Sequence, residues 1–206
     1  MLGGEVVAAL VWRSGLVASL PPGIRAVPGP VVVLAQRWES SPVGPYRTLA
    51  VGHPARSAAH VGVCFTTVVV SSQDARAAGR SHWGLPAECG ALRWSDEPGG
   101  VGVVWDERGI VLRARFGRRR VPLAVPVPLI QARGAPVVAA TRLRGRAARA
   151  RVELVVPVGD VLAPLAGRRR GAHVAGVETV LHAAAEPLAL RARLRAPERG
   201  VEPGLP

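Results

Sequence analysis

The chain has 206 residues, an apolar fraction of 49% and a formal charge of +13, which suits one medium-sized domain with a full hydrophobic core. The basic residues are scattered, with local runs only at Arg118-Arg119-Arg120 and Arg168-Arg169-Arg170; neither run has interleaved aromatics, so no nucleic-acid partner is expected. Two cysteines, Cys64 and Cys89, are too few for a disulfide framework, the first ten residues lack a basic start, and the uncharged stretch Ser57 to Gln73 carries His60 and reads as strand, so a reduced cytoplasmic protein with no membrane partner is expected.

In chain order, Val6 to Trp12 is a short apolar run, broken by Leu20-Pro21-Pro22-Gly23 and by Val27-Pro28-Gly29-Pro30. Val31 to Trp38 reads as a strand, Ser41-Pro42-Val43-Gly44-Pro45 as a turn, and Tyr46 to His53 as the returning strand. The β-branched run Val61 to Val70 is expected to pass through the core. Ser72 to Gly79 predicts a short helix, with a serine cap and Asp74 near its positive end. Further strands are expected at Gly90 to Trp94, Val101 to Asp106, Ile110 to Phe116, Val121 to Gln131, Arg149 to Val156 and Ala172 to His182. Asp106-Glu107-Arg108-Gly109 reads as a tight hairpin connection. Asp160 to Gly167 predicts a second short helix, capped by Asp160 and stopped by Gly167. The Pro-, Glu- and Gly-rich stretch from Ala196 is expected to be a flexible tail after a single domain over residues 1–195. Many short strands with one or two small helices make a mainly β, α+β chain and fit a closed or nearly closed antiparallel barrel.

Residues 79 to 90 read Gly-Arg-Ser-His-Trp-Gly-Leu-Pro-Ala-Glu-Cys-Gly. This stretch resembles the active-site segment of the acetoacetate decarboxylase-like family, in which Gly-Arg-x-x-(Trp/Tyr)-Gly-x-Pro is followed by a lysine. The pieces Val43-Gly44-Pro45-Tyr46, Trp105-Asp106-Glu107-Arg108-Gly109 and Leu165-Ala166-Gly167-Arg168-Arg169-Arg170-Gly171-Ala172 are similar to the same family, and the likeness extends over roughly residues 20 to 185. It implies a cone-shaped antiparallel β-barrel with a central pocket, assembly into homo-oligomers, and activities that include acetoacetate decarboxylation and, in relatives, aldol or dehydration chemistry on keto acids.

In that family the lysine attacks the substrate's keto group and forms an imine, which accepts the electrons released as CO2 leaves. Here Ala87 holds its place, and the chain has no lysine anywhere; all 27 basic side chains are arginine. A guanidinium stays protonated and cannot substitute as the nucleophile. The α-amino group of Met1 is the only primary amine. Where the family carries a glutamate of its acid network, two residues after the Gly-Pro-Tyr tyrosine, this chain has Thr48; where the decarboxylase has a second lysine, it has Glu88.

The remaining residue types leave other chemistry open. Arg80 suits a two-pronged grip on a carboxylate, or a structural pairing with a turn. His82 is of the residue type suited to moving protons near neutral pH, and Glu88 would serve as acid or base if buried. These three are the candidate catalytic groups. Tyr46, Trp83, Thr48, Ala87 and Glu39 are the candidate substrate contacts, with core packing the competing role for the aromatics. The histidines at 53, 60, 82, 173 and 182 show no ligand spacing, and no phosphate loop is present, so neither metal nor cofactor is expected. The expected function is therefore a barrel that binds a small keto, enol or polyketide-like molecule and, if it is an enzyme, performs cyclisation, dehydration or isomerisation, a lyase- or isomerase-like activity without an imine. A non-catalytic binding or structural barrel is the alternative, and true β-keto acid decarboxylation is less favoured.

Overall fold

The computed structural model describes residues 2–12 and 19–181. Its strands are β1 (Leu2–Val11), β2 (Arg25–Ala26), β3 (Val31–Ser40), β4 (Tyr46–Ser57) and β5 (His60–Val70), then the helix α1 (Gln73–Trp83), then β6 (Ala87–Cys89), β7 (Leu92–Glu97), β8 (Gly100–Trp105), β9 (Ile110–Phe116), β10 (Val121–Pro126), β11 (Leu129–Arg133), β12 (Ala135–Ala139), β13 (Thr141–Val155) and β14 (Gly167–Leu181). All fourteen strands join one sheet. The expected tail from Ala196 lies outside the described residues, as does His182.

The expected closed or nearly closed antiparallel barrel is corrected on two points. The main path runs β12-β11-β5-β4-β3-β1-β14-β13-β9-β8-β7, and its two end strands do not pair with each other. The sheet is also mixed, since β6 and β11 both pair with β5 in parallel. One crossover accounts for much of this. After β5 the chain turns through α1 and returns as β6, and a parallel return needs such a connection. With β11 along one half of β5 and β6 along the other, the free edge that closure would need is taken. β7 approaches β4, an internal strand of the path, through a side chain instead: Arg47 Nη1 donates to the Leu92 carbonyl over 3.2 Å.

Two strand predictions change for local reasons. The expected strand Val121 to Gln131 is two, split at Val127-Pro128, and β12 was not expected because Gly134 and Pro136 mask it. The expected helix from Asp160 is only a 3-10 turn at Ala163–Leu165. Pro157, Gly159 and Pro164 leave no uninterrupted helical run. Asp160 caps a turn, accepting from the Leu162 amide at 2.7 Å, and its carboxylate also takes a forked contact from Arg108 (Nε at 2.7 Å).

Alternating side chains give the curled sheet two interiors. Val7, Val33, Leu49, Val69, Val103, Leu112 and Val152 fill the first, enclosed between β1-β3-β4-β5 and β8-β9-β13. On the opposite face, Ala50, Phe65, Val68, Val70, Ala87 and Leu129 form a second cluster, which meets a third around Leu2, Val6, Trp38 and Val177 through Leu34 and Tyr46. The first interior is closed at one end by a polar network. His173, fully buried on β14, lies 2.9 Å from Glu5 through Nε2 and 3.3 Å from Arg120 through Nδ1. Arginine can only donate, so Nδ1 is the acceptor and Nε2 carries the proton shared with Glu5.

Candidate functional site

α1 starts at Ser72, whose hydroxyl accepts from the Ala75 amide (3.3 Å), and ends at Gly84, which sits in the left-handed region at φ 66°. The helix therefore runs four residues past the expected Gly79. Gly84 closes it with a bond from its amide to the Arg80 carbonyl (3.2 Å), and Leu85 adds one to the Gly79 carbonyl (3.1 Å). A Cβ at Gly84 would lie 2.3 Å from the Ala132 carbonyl oxygen, so the chain reverses directly against β11. This reversal delivers Leu85 and Ala87 beneath the helix. Ala87 is 1% exposed, and its methyl faces the backbone of Gly79 on α1.

The structure brings three of the sequence-derived contact residues together. Ala87, Tyr46 and Trp83 belong to one apolar cluster with several small members: Ala50, Ala75, Ala87 and Ala139 stand among Phe65, Val68 and Val70. Thr48, buried on β4 between Tyr46 and Ala50, shares their face by alternation and pairs across strands with Val70 and Gln36. Burial pushes the Tyr46 phenol up to about 12, so it is protonated throughout the neutral range. Its ring tilts against Trp38 at 6.5 Å between centroids. The indole N–H of Trp83 is buried and has no hydrogen-bond partner among the described residues. Nor has the hydroxyl of Thr179, which borders the adjoining third cluster near Leu2 and Val177. No sequence signal marked Thr179, because it reaches this interior only through the pairing of β14 with β1.

The other candidates lie elsewhere. Glu88 alternates to the face opposite Ala87 and is exposed. His82 is exposed on α1, its ring edge-on to Trp83 at 5.6 Å. Arg80 is exposed too, and its Nε donates to the Ala87 carbonyl at 2.7 Å. Its guanidinium thus anchors the backbone at residue 87. Glu39 is 71% exposed on the rim of a shallow groove of about 450 Å³, shared with Glu5, Arg37 and Glu178, at the far end of β3. Cys89 is exposed, while Cys64 is buried and its thiol pushed up to about 11 by burial, which leaves it inert as a nucleophile. Among the described residues no group of three His, Cys, Asp or Glu side chains converges.

A family model described as acetoacetate decarboxylase matches residues 6–163. Solved structures with a similar fold include the enduracididine biosynthesis enzyme MppR complexed with pyruvate, at 17% identity and a TM-score of 0.65, covering 89% of this chain and 88% of that one. The same enzyme complexed with the condensation product of pyruvate and imidazole 4-carboxaldehyde matches at 17% identity and a TM-score of 0.60, covering 89% and 87%. Acetoacetate decarboxylase from Legionella pneumophila matches at 15% identity and a TM-score of 0.56, covering 89% and 85%. No curated protein matches the chain.

Proposed function

Because the chain belongs to the acetoacetate decarboxylase family, we propose that it binds a small keto or enol compound against the cluster of Tyr46, Trp83 and Ala87, and that it does so without forming an imine. The observation that carries this reading is the set of neutral donors beside a group of small side chains. Trp83 offers an indole N–H with no partner among the described residues, Tyr46 a phenol that keeps its proton, and Thr48 a hydroxyl on the same face. A buried donor without an acceptor is costly, and a ligand carbonyl entering here would satisfy it. Donors aimed at a carbonyl oxygen also stabilise the enolate that forms when water takes a proton from the neighbouring carbon. That assistance suits cyclisation, dehydration or isomerisation of a polyketide-like chain folded by the shape of the cluster. MppR holds pyruvate in one structure and a pyruvate-derived condensation product in another, which supports a keto compound as the ligand class on this fold.

A second reading, a binder without turnover, is favoured by one observation: the acid–base candidates Glu88 and His82 are both exposed, Glu88 on the face opposite Ala87. The test is calorimetric titration with a 1,3-diketone such as acetylacetone, followed by product analysis. Binding is expected, and Tyr46→Phe and Trp83→Phe should each weaken it roughly tenfold, the equivalent of one hydrogen bond. Product accumulation separates the enzyme from the binder. Binding that neither variant weakens would remove both readings from this cluster.

A further inference from the structure

The outer face of β9, β13 and β14 is an arginine surface. Alternation turns Leu112, Ala114, Ala150 and Val152 into the first interior and leaves Arg113, Arg115, Arg149, Arg151, Arg168 and Arg170 exposed on the other side. The registers Arg151↔Arg115 and Arg151↔Arg170 set three guanidinium-bearing residues side by side across adjacent strands. Like charges directly opposite one another are destabilising. A neighbouring acid relieves this at Arg168, which pairs with Glu153 at 3.3 Å. Arg113, Arg115, Arg149, Arg151 and Arg170 have no carboxylate within ion-pair distance among the described residues. The nearby acids Asp160 and Asp106 are taken by Arg108 and Arg93.

Apolar side chains gather at the end of the same sheet where β1 and β13 finish and β14 begins. Val155 stands on the arginine face itself; Val158 and Val161 follow in the loop to β14, and Val158 is fully exposed. The register Ala9↔Gly171 places Leu10 beside Arg170, and Trp12, 74% exposed, follows it. Of the exposed large apolar side chains among the described residues, only Val61 and Val121 lie elsewhere.

We propose that this face docks on an anionic lipid bilayer, with the arginines against the headgroups and the apolar rim of Trp12, Val158 and Val161 entering the interface. Charge complementarity favours an anionic partner, and the exposed valines distinguish a bilayer from a nucleic acid. Aliphatic tips gain nothing from phosphates or bases in water but are stabilised in the interfacial region. The expectation of no membrane partner rested on the lack of a spanning segment, which does not bear on surface binding. This docking is independent of the chemistry at the Ala87 cluster.

The test is sedimentation of the full chain with vesicles of phosphatidylcholine alone and of phosphatidylcholine mixed with phosphatidylglycerol, at low and high salt. Binding to the mixed vesicles is expected, with loss at high salt and little binding to phosphatidylcholine alone. Replacing Arg115, Arg151 and Arg170 together by glutamine should weaken it about a hundredfold, and Trp12→Ser with Val158→Ser about tenfold, at unchanged circular dichroism. No binding to the mixed vesicles, equal binding by the arginine variant, or retention on a single-stranded oligonucleotide in place of vesicles would overturn the proposal.

Discussion

Ala87→Lys is expected to be covalently labelled when borohydride is added with acetoacetate or pyruvate, where the unaltered protein is expected to give no adduct. Position 87 is the end of a chain of placements. Ser72 and Gly84 fix the length of α1, Gly84 reverses the chain, β6 pairs with Val68 to Val70, and Arg80 anchors the carbonyl of residue 87 itself. A lysine growing from this Cβ starts among Ala50, Val68 and Val70 and beneath a glycine of the helix. Apolar surroundings disfavour the charged ammonium, so its pKa falls and the neutral amine becomes available near neutral pH. Overpacking should cost about 1–3 kcal/mol, which a domain of this size tolerates. Labelling should rise with pH through the lowered pKa. A folded variant that is not labelled would show that residue 87 does not face the ligand.

Gly84→Ala should be the most damaging single methyl in this region. A left-handed non-glycine residue costs about 1 kcal/mol or more by itself. The added Cβ would also lie 2.3 Å from the carbonyl oxygen and 2.8 Å from the carbonyl carbon of Ala132, both backbone atoms that no rotamer change can move aside. Helix and β11 would have to separate, so a total loss of about 3 kcal/mol is expected, and a melting temperature lower by roughly 6–12 °C. Gly99→Ala provides the control. Its φ of 70° is similar, but a Cβ there meets nothing within 4 Å. It should lose only the conformational part, about 1 kcal/mol. Equal losses at the two sites would mean that the contact with β11 is not what fixes the turn. Because the same shift moves Trp83, Gly84→Ala should also lose ligand binding.

The strands from Val31 to Val70 and from Gly100 to Phe116 were legible because each is an apolar or β-branched run bounded by turn residues. Their assembly was not. Nothing local in Ser72 to Trp83 announces that the helix is a crossover returning the chain parallel to β5, and that crossover is what leaves the sheet open. The pairing of Glu5 with His173, 168 residues apart, is equally silent in sequence. The two motifs that hold Tyr46, Trp83 and Ala87 do meet in one apolar cluster. They did not carry the direction of their polar side chains. Arg80 and Glu88 have the residue types for acid–base or carboxylate chemistry, yet one side chain holds a backbone carbonyl and the other alternates to solvent. Whether a charged residue faces a pocket depends on strand parity and hydrogen-bond partners, which residue type alone does not encode.

The most direct measurement is the intact mass of the unaltered protein after borohydride reduction in the presence of acetoacetate. With a methyl group at position 87 and no lysine in the chain, the mass should equal that of the untreated protein while the keto compound still binds reversibly. A stable adduct of the substrate on the chain, at Met1 or anywhere else, would contradict the account.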